Sequence, residues 1–307
     1  MQQNASSSSA SNTNRLMDQP PNYSSYCTGP DQERIKAARF AQVNARLKAA
    51  KCLSYEKKIY YLTEYDEIEQ ASRELLNWVN KNIPDGVGLL PVGFDMEWPF
   101  TYRTGPLKTA LIQFSFSLNV CYLFQVWKFD TLPQSLIELV RHPKLLLHGN
   151  KIKNDLRKLG RDFKEVGDTD PLVARCCDLG SYANRVLNVG ENWSMERLVK
   201  EFLKTNINKD KAVRMSEWNR ILSEEQQIYA AIDVIASQLV FQKIRYLEEK
   251  HKTEEEIKVL LLELEKDFER EDREKRNDLD ELLVEYERIQ MILNKSPPPT
   301  PSTQENL

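Results

Sequence analysis

Histidine and cysteine are scarce in this chain, at 3 and 5 of 307 residues, and no two cysteines form a Cys-x-x-Cys pair. Cys27, Cys52, Cys121, Cys176 and Cys177 lack a histidine at zinc-ligand spacing. That argues against a zinc module and for ordinary thiols in a reducing compartment. No basic-then-apolar leader opens the sequence, and no apolar run approaches the ~20 residues of a membrane span. The expectation is a soluble, intracellular protein. A Gly-rich loop ending in Gly-Lys-Ser/Thr is also missing, which excludes a phosphate-loop motor.

What is present suits one large domain with appendages. Hydrophobic residues make up 41% and charged residues 29% of the chain, and a core of ~200 residues buries about 70% of its unfolded surface. The formal net charge is -3, unevenly spread. Residues 248–293 carry 9 Lys and Arg against 17 Asp and Glu, which leaves the preceding body modestly basic. Residues 1–30, rich in Ser, Asn, Gln and Pro, are expected to be disordered. Phe40, Val43 and Leu47 give 31–57 a weakly amphipathic lead-in helix. The body spans 58–247. From 248 to 295 a charged helix follows, with Ile257, Leu261, Leu264 and Phe268 in four-three spacing and Leu282, Ile289 and Ile292 near the same register. Glu271, Lys275 and Asp278 interrupt that stripe, so a solvated helix and a self-associating coiled coil through 248–293 both fit. Residues 296–307 form a Pro-rich tail expected to be disordered.

Within the body, strand-like runs fall at 60–63, 89–97, 110–117, 120–126 and 145–148, with a further short strand at 175–179. Ser117-Leu118-Asn119 reads as a hairpin turn. Helices are expected at 68–79, 132–140, 181–187, 194–203 and 224–245. The pattern indicates an α/β fold, a mixed sheet covered by helices on both faces.

The stretch Val92-Gly93-Phe94-Asp95-Met96-Glu97-Trp98 places two carboxylates in a run that otherwise reads as buried strand. Side chains alternate along a strand, so Asp95 and Glu97 share one face and Phe94, Met96 and Trp98 the other. A desolvated carboxylate needs a partner or a cation. Asp155 falls in the early turns of a helix that follows the strand ending at Gly149, near the strand ends where sites of open sheets gather; an acid placed there for the helix dipole is the competing explanation. Tyr229 and Asp233 stand four apart on one helical face, and Asp233 lies among Ala, Ile and Val, a position expected to be buried.

These residues resemble the DEDDy group of 3'-5' exonucleases, in the superfamily of ribonuclease D and polymerase proofreading domains. The closest likeness is to the Werner syndrome protein's exonuclease domain. Phe94-Asp95-Met96-Glu97-Trp98-Pro99 is similar to its first motif, Asn154-Asp155 to its second and Tyr229-Ala230-Ala231-x-Asp233 to its third. Trp193-Ser194 with Leu198, and Lys209-Asp210-Lys211 with Arg214 and Trp218, follow the same pattern. The lead-in at Lys151 and Lys153 departs from it in being more basic.

The resemblance implies a ribonuclease H-like sheet and hydrolysis from a free 3' end, DNA favoured and RNA possible. It implies two divalent ions, Mg²⁺ or Mn²⁺, held by Asp95, Glu97, Asp155 and Asp233, with Tyr229 orienting the attacking water. It also implies a nuclear location and a helicase or other protein partner. Nucleic-acid contacts are expected from Lys151, Lys153, Arg157, Lys209, Lys211, Arg214 and Trp98, with Lys158 also near the second motif. Trp218 reads as packing, and His148 as structural. The competing possibility is a catalytically weak binding or scaffold protein of the same fold that acts through its helical tail.

Overall fold

A computed structural model describes residues 30–86 and 88–270. The chain divides into two units, 1–248 and 249–307. The expectations for residues 1–29 and 271–307 lie outside the described residues, as do the side chains of Ile257, Leu261, Leu264 and Phe268.

Helix α1 (Pro30–Ala49) precedes β1 (Lys58–Leu62), α2 (Tyr65–Asn82) and β2 (Leu90–Glu97). A two-stranded ribbon, β3 (Phe100–Thr101) and β4 (Gly105–Pro106), leads into the hairpin of β5 (Leu111–Ser117) and β6 (Val120–Gln125). Then come α3 (Gln134–Arg141), β7 (Leu145–Gly149), α4 (Ile152–Asp162), α5 (Asp170–Arg175) and β8 (Cys177–Asp178). Helices α6 (Leu179–Leu187), α7 (Met195–Leu198), α8 (Lys211–Arg214) and α9 (Glu224–Arg270) complete the described chain. None of the described helices is long and apolar enough to cross a membrane.

The main sheet runs in the order β1-β6-β5-β2-β7-β8. Strand β2 pairs antiparallel with β5 and parallel with β7, and β1 lies parallel to β6. This mixed sheet, with β2 interior and helices on both faces, is the ribonuclease H-like arrangement. Its two faces are packed separately. Phe94, Met96, Ile112, Phe114 and Phe124 meet α2 and α3, whereas Leu111, Cys121 and Leu123 meet α6 and the first part of α9. The strand alternation at 94–97 therefore divides as the sequence predicts.

Several boundaries differ, each for a local reason. Helix α6 starts at Leu179 because Asp178 caps it, its Oδ1 accepting from the Ser181 N–H at 2.9 Å, so the strand expected at 175–179 keeps only Cys177 and Asp178. Ser194 caps α7 by accepting from the Arg197 N–H, and Val199–Leu203 continues in π-helical geometry. Helix α9 passes the expected end at 245 because neither Gly nor Pro occurs from 224 to 296 to stop it. Helix α1 is mostly exposed; it is held where Asn44 clips both the N–H and the C=O of Tyr55, at 2.8 and 2.9 Å, and by the buried Leu47.

Candidate active site

Two glycines bring the site's helices onto β2. Gly93 lies on the same face as Asp95 and Glu97, and a Cβ there would stand 2.7 Å from the Val234 carbonyl oxygen. The backbone of α9 thus rests directly on the strand, which places Asp233, the residue before Val234, beside Asp95. At Gly149, the last residue of β7, a Cβ would stand 2.5 Å from the Phe94 carbonyl oxygen. That close approach lets the chain turn through Lys151, left-handed at φ 62, into α4 with Asp155 in its first turn.

All four carboxylates sit in this region, but not equivalently. Asp155 and Asp233 are 8% and 3% exposed, while Asp95 and Glu97 are half-buried. Burial, and then the charge of Asp233, push the Asp95 carboxyl up to about 7 against the opposing influence of Lys209. Burial followed by the charges of Asp95 and Asp233 raises Glu97 well above the usual carboxylate range. Asp155 is likewise raised, by burial, by Asp95 and by Asp178. For Asp95, Glu97 and Asp155 burial acts first and a neighbouring carboxylate second, as expected where acids approach one another in a low-dielectric site without enough positive charge.

The positive charge inside the cluster is Lys209. Its ammonium donates to the Asp233 carboxylate and lies 5.0 Å from the centre of the Tyr229 ring. Burial alone would depress Lys209, but the charge of Asp233, with Tyr229 and Asp95, holds it above its ordinary value. Tyr229 remains a neutral phenol, raised by burial and then by Asp233. It packs on Trp218, with ring centroids 6.0 Å apart. Trp218 is fully buried, as expected for packing, and Gln125 Nε2 donates to its carbonyl at 2.9 Å, tying the segment before α9 to the sheet.

The expected nucleic-acid residues divide into three groups. Lys151, Lys153 and Arg157 are exposed around the start of α4, and Lys211 and Arg214 are exposed on α8; Arg214 lies close enough to oppose the upward shifts of Asp95 and Glu97. Lys209 meets a carboxylate instead of solvent. Trp98 is half-buried against the core, with the Lys158 ammonium 4.9 Å from its ring centre.

Lys158, read from sequence as one of the basic residues near the second motif, turns inward. It donates to the Leu107 carbonyl at 2.6 Å and pairs with Asp162 at 2.9 Å, which also accepts from the Thr109 N–H and hydroxyl, each at 2.7 Å. This cluster ties α4, which carries Asp155, to the segment leading into β5. Its i,i+4 Lys–Asp spacing was the available signal. His148 is buried between Ser237 and Gln238, at 3.0 and 2.7 Å, the structural role expected of it.

The donor chemistry suits a hard divalent cation: four carboxylates with no thiolate or imidazole among them, and an excess of negative charge that a cation would relieve. Among the described residues, no three His, Cys, Asp or Glu side chains already stand in a metal-holding arrangement; Lys209 engages Asp233 in its place.

Residues 59–247 match the 3'-5' exonuclease family, and the chain belongs to that family. A curated "3'-5' exonuclease" of Drosophila sechellia is 43% identical over 208 residues, covering 67% of this chain and 58% of that protein. The Drosophila melanogaster protein of the same name matches over the same shares at 43% identity. This chain therefore spans less than two thirds of these relatives' length. Among solved structures, the catalytic core of RRP6 from Trypanosoma brucei aligns with a TM-score of 0.49 at 18% identity, covering 74% of this chain and 57% of that one.

Proposed function

We propose that this chain is a 3'-5' exonuclease that hydrolyses phosphodiester bonds from the 3' end of nucleic acid, releasing nucleoside monophosphates. The observation that carries the proposal is the close approach of α9 and β7 to β2 at Gly93 and Gly149, which brings the segments bearing Asp233 and Asp155 toward Asp95 and Glu97, within a chain of the 3'-5' exonuclease family. Asp95, Glu97, Asp155 and Asp233 would hold two divalent cations, Mg²⁺ or Mn²⁺, which when bound supply Lewis acidity toward the phosphate and acidify water.

The chain's own residues do the rest. Tyr229, kept as a phenol, presents a hydroxyl able to orient a water by hydrogen bonding. Lys209 offsets part of the carboxylate charge through its contact with Asp233. Lys151, Lys153, Arg157, Lys211 and Arg214 offer the strand's phosphates a rim of exposed cations. The ribbon after β2 supplies exposed aromatics, Phe100 and the 88% exposed Tyr102, whose ring centroids are 5.7 Å apart; such faces suit stacking by unpaired bases. DNA as preferred substrate, a nuclear location and a helicase partner belong to the same proposal through the likeness to the Werner-type domain.

The test is digestion of matched DNA and RNA oligonucleotides, single- and double-stranded, by the purified chain with Mg²⁺ or Mn²⁺. The expected product is a 3'-shortened ladder, more rapid on DNA. Equal loss of both strands from internal positions would refute a 3'-end mechanism.

A further inference from the structure

Gln113 lies in the middle of β5, directly opposite Asp95 on β2 and opposite Leu123 on β6. Paired residues of neighbouring strands project from the same face, with Cβ atoms about 4.5–5.5 Å apart. Its carboxamide therefore shares the face of Asp95, in the layer where Leu111 and Leu123 pack against Ala230, Ala231 and Val234 of α9. Gln113 is fully buried, yet neither its Nε2 nor its Oε1 has a hydrogen-bond partner. Among the buried side chains of the described residues it alone has both ends of a carboxamide unpaired. Leaving such groups unmatched is unfavourable, and an apolar side chain of similar length would fill the space without that cost.

Asp95 is correspondingly under-supported. The hydrogen bond its carboxylate accepts is from the adjacent Met96 N–H, at 2.8 Å to Oδ1. A donor one strand away and an acceptor short of donors face each other in a layer that water reaches poorly.

We propose that Gln113 is a positioning residue that donates from Nε2 to the Asp95 carboxylate when that carboxylate holds a cation, fixing the orientation in which it does so. This rests on the assignment of Asp95 as a cation ligand. Partners that orient a metal's ligands are worth about 10–100-fold in affinity or activity.

The experiment compares the full chain with Gln113→Met, which keeps length but not the donor, and Gln113→Glu, which keeps shape but replaces donor by acceptor. Three quantities are measured: melting temperature without metal, Mn²⁺ affinity by calorimetry, and kcat and KM on a single-stranded oligonucleotide. Gln113→Met is expected to melt at or above the wild-type temperature without metal. It should also bind Mn²⁺ about tenfold more weakly and lose about tenfold in kcat, with KM unchanged; Gln113→Glu should lose at least as much kcat. A Gln113→Met chain with wild-type kcat and Mn²⁺ affinity overturns the proposal. So does one whose losses come with a lower metal-free melting temperature, because that pattern belongs to packing. A wild-type chain that binds no Mn²⁺ would instead overturn the assignment of Asp95.

Discussion

Replacing Gly93 with alanine would place a methyl carbon 2.7 Å from the Val234 carbonyl oxygen, where relaxed C···O contacts lie near 3.3–3.6 Å. The obstacle is helix backbone, which cannot rotate away as a side chain would, so β2 and α9 must separate by roughly 0.6 Å or more. Overpacking of this kind costs about 1–3 kcal/mol. The separation also displaces Asp233, adjoining Val234, from Asp95 on β2, and a misplacement of about 1 Å at a reacting centre can cost about 10²-fold in turnover. Gly93→Ala should therefore lower the denaturant midpoint and, under conditions where the variant is fully folded, still turn over far more slowly than wild type. Denaturant titration and single-turnover digestion of an end-labelled oligonucleotide read the two effects separately. A folded Gly93→Ala chain with wild-type turnover would show that the close approach of α9 to β2 does not set the site's geometry.

Three further outcomes follow from other residues. Lys158→Met removes the partner of the largely buried Asp162 and should destabilise the fold by about 3–5 kcal/mol; Lys158→Met with Asp162→Asn should recover part of it, measured by the same titration. His148 is buried, and burial holds its imidazole down to about 4 from 6.5. The unfolded chain therefore takes up a proton below pH 6.5 while the folded one resists. Stability that is full above that value should fall as the pH drops toward 4, by at most about 3 kcal/mol from this group, and His148→Gln should flatten that part of the stability profile. Adding Mn²⁺ at a hundred times its dissociation constant should raise stability by about 2.7 kcal/mol, visible as a higher melting temperature that EDTA reverses and that Asp95→Ala abolishes.

Three of the four acids stood out in the sequence because they broke a local pattern, whereas Asp155, placed as a helix-dipole acid would be, stood out only beside them. Asp95 and Glu97 interrupted a strand of period two, and Asp233 stood in an apolar helical stretch one turn after Tyr229. The strands were legible as short apolar runs, with Ser117-Leu118-Asn119 marking the turn that joins β5 to β6. What stayed hidden depended on three-dimensional placement of residues that look ordinary in sequence. Lys209 reads as one cation of a charged run, and only the fold shows its ammonium on Asp233. Lys158 looks like its neighbours Lys153 and Arg157, but its position on α4 points it beneath Trp98 and onto the Leu107 carbonyl. Gln113 sits in a strand whose alternation is satisfied with or without it, and gains meaning only from the register that sets it opposite Asp95. The break expected at 245 does not occur for a simpler reason: neither Gly nor Pro lies between 246 and 270 to interrupt the helix.

The most direct test uses an oligonucleotide labelled at its 5' end and carrying a free 3' hydroxyl, incubated with the purified chain and Mn²⁺ beside the Asp95→Ala and Asp233→Ala variants. Stepwise shortening from the 3' end by the wild-type chain, lost in both variants while their folds persist, is the expected result. Shortening that survives both substitutions would contradict the assignment of this carboxylate cluster as the catalytic centre.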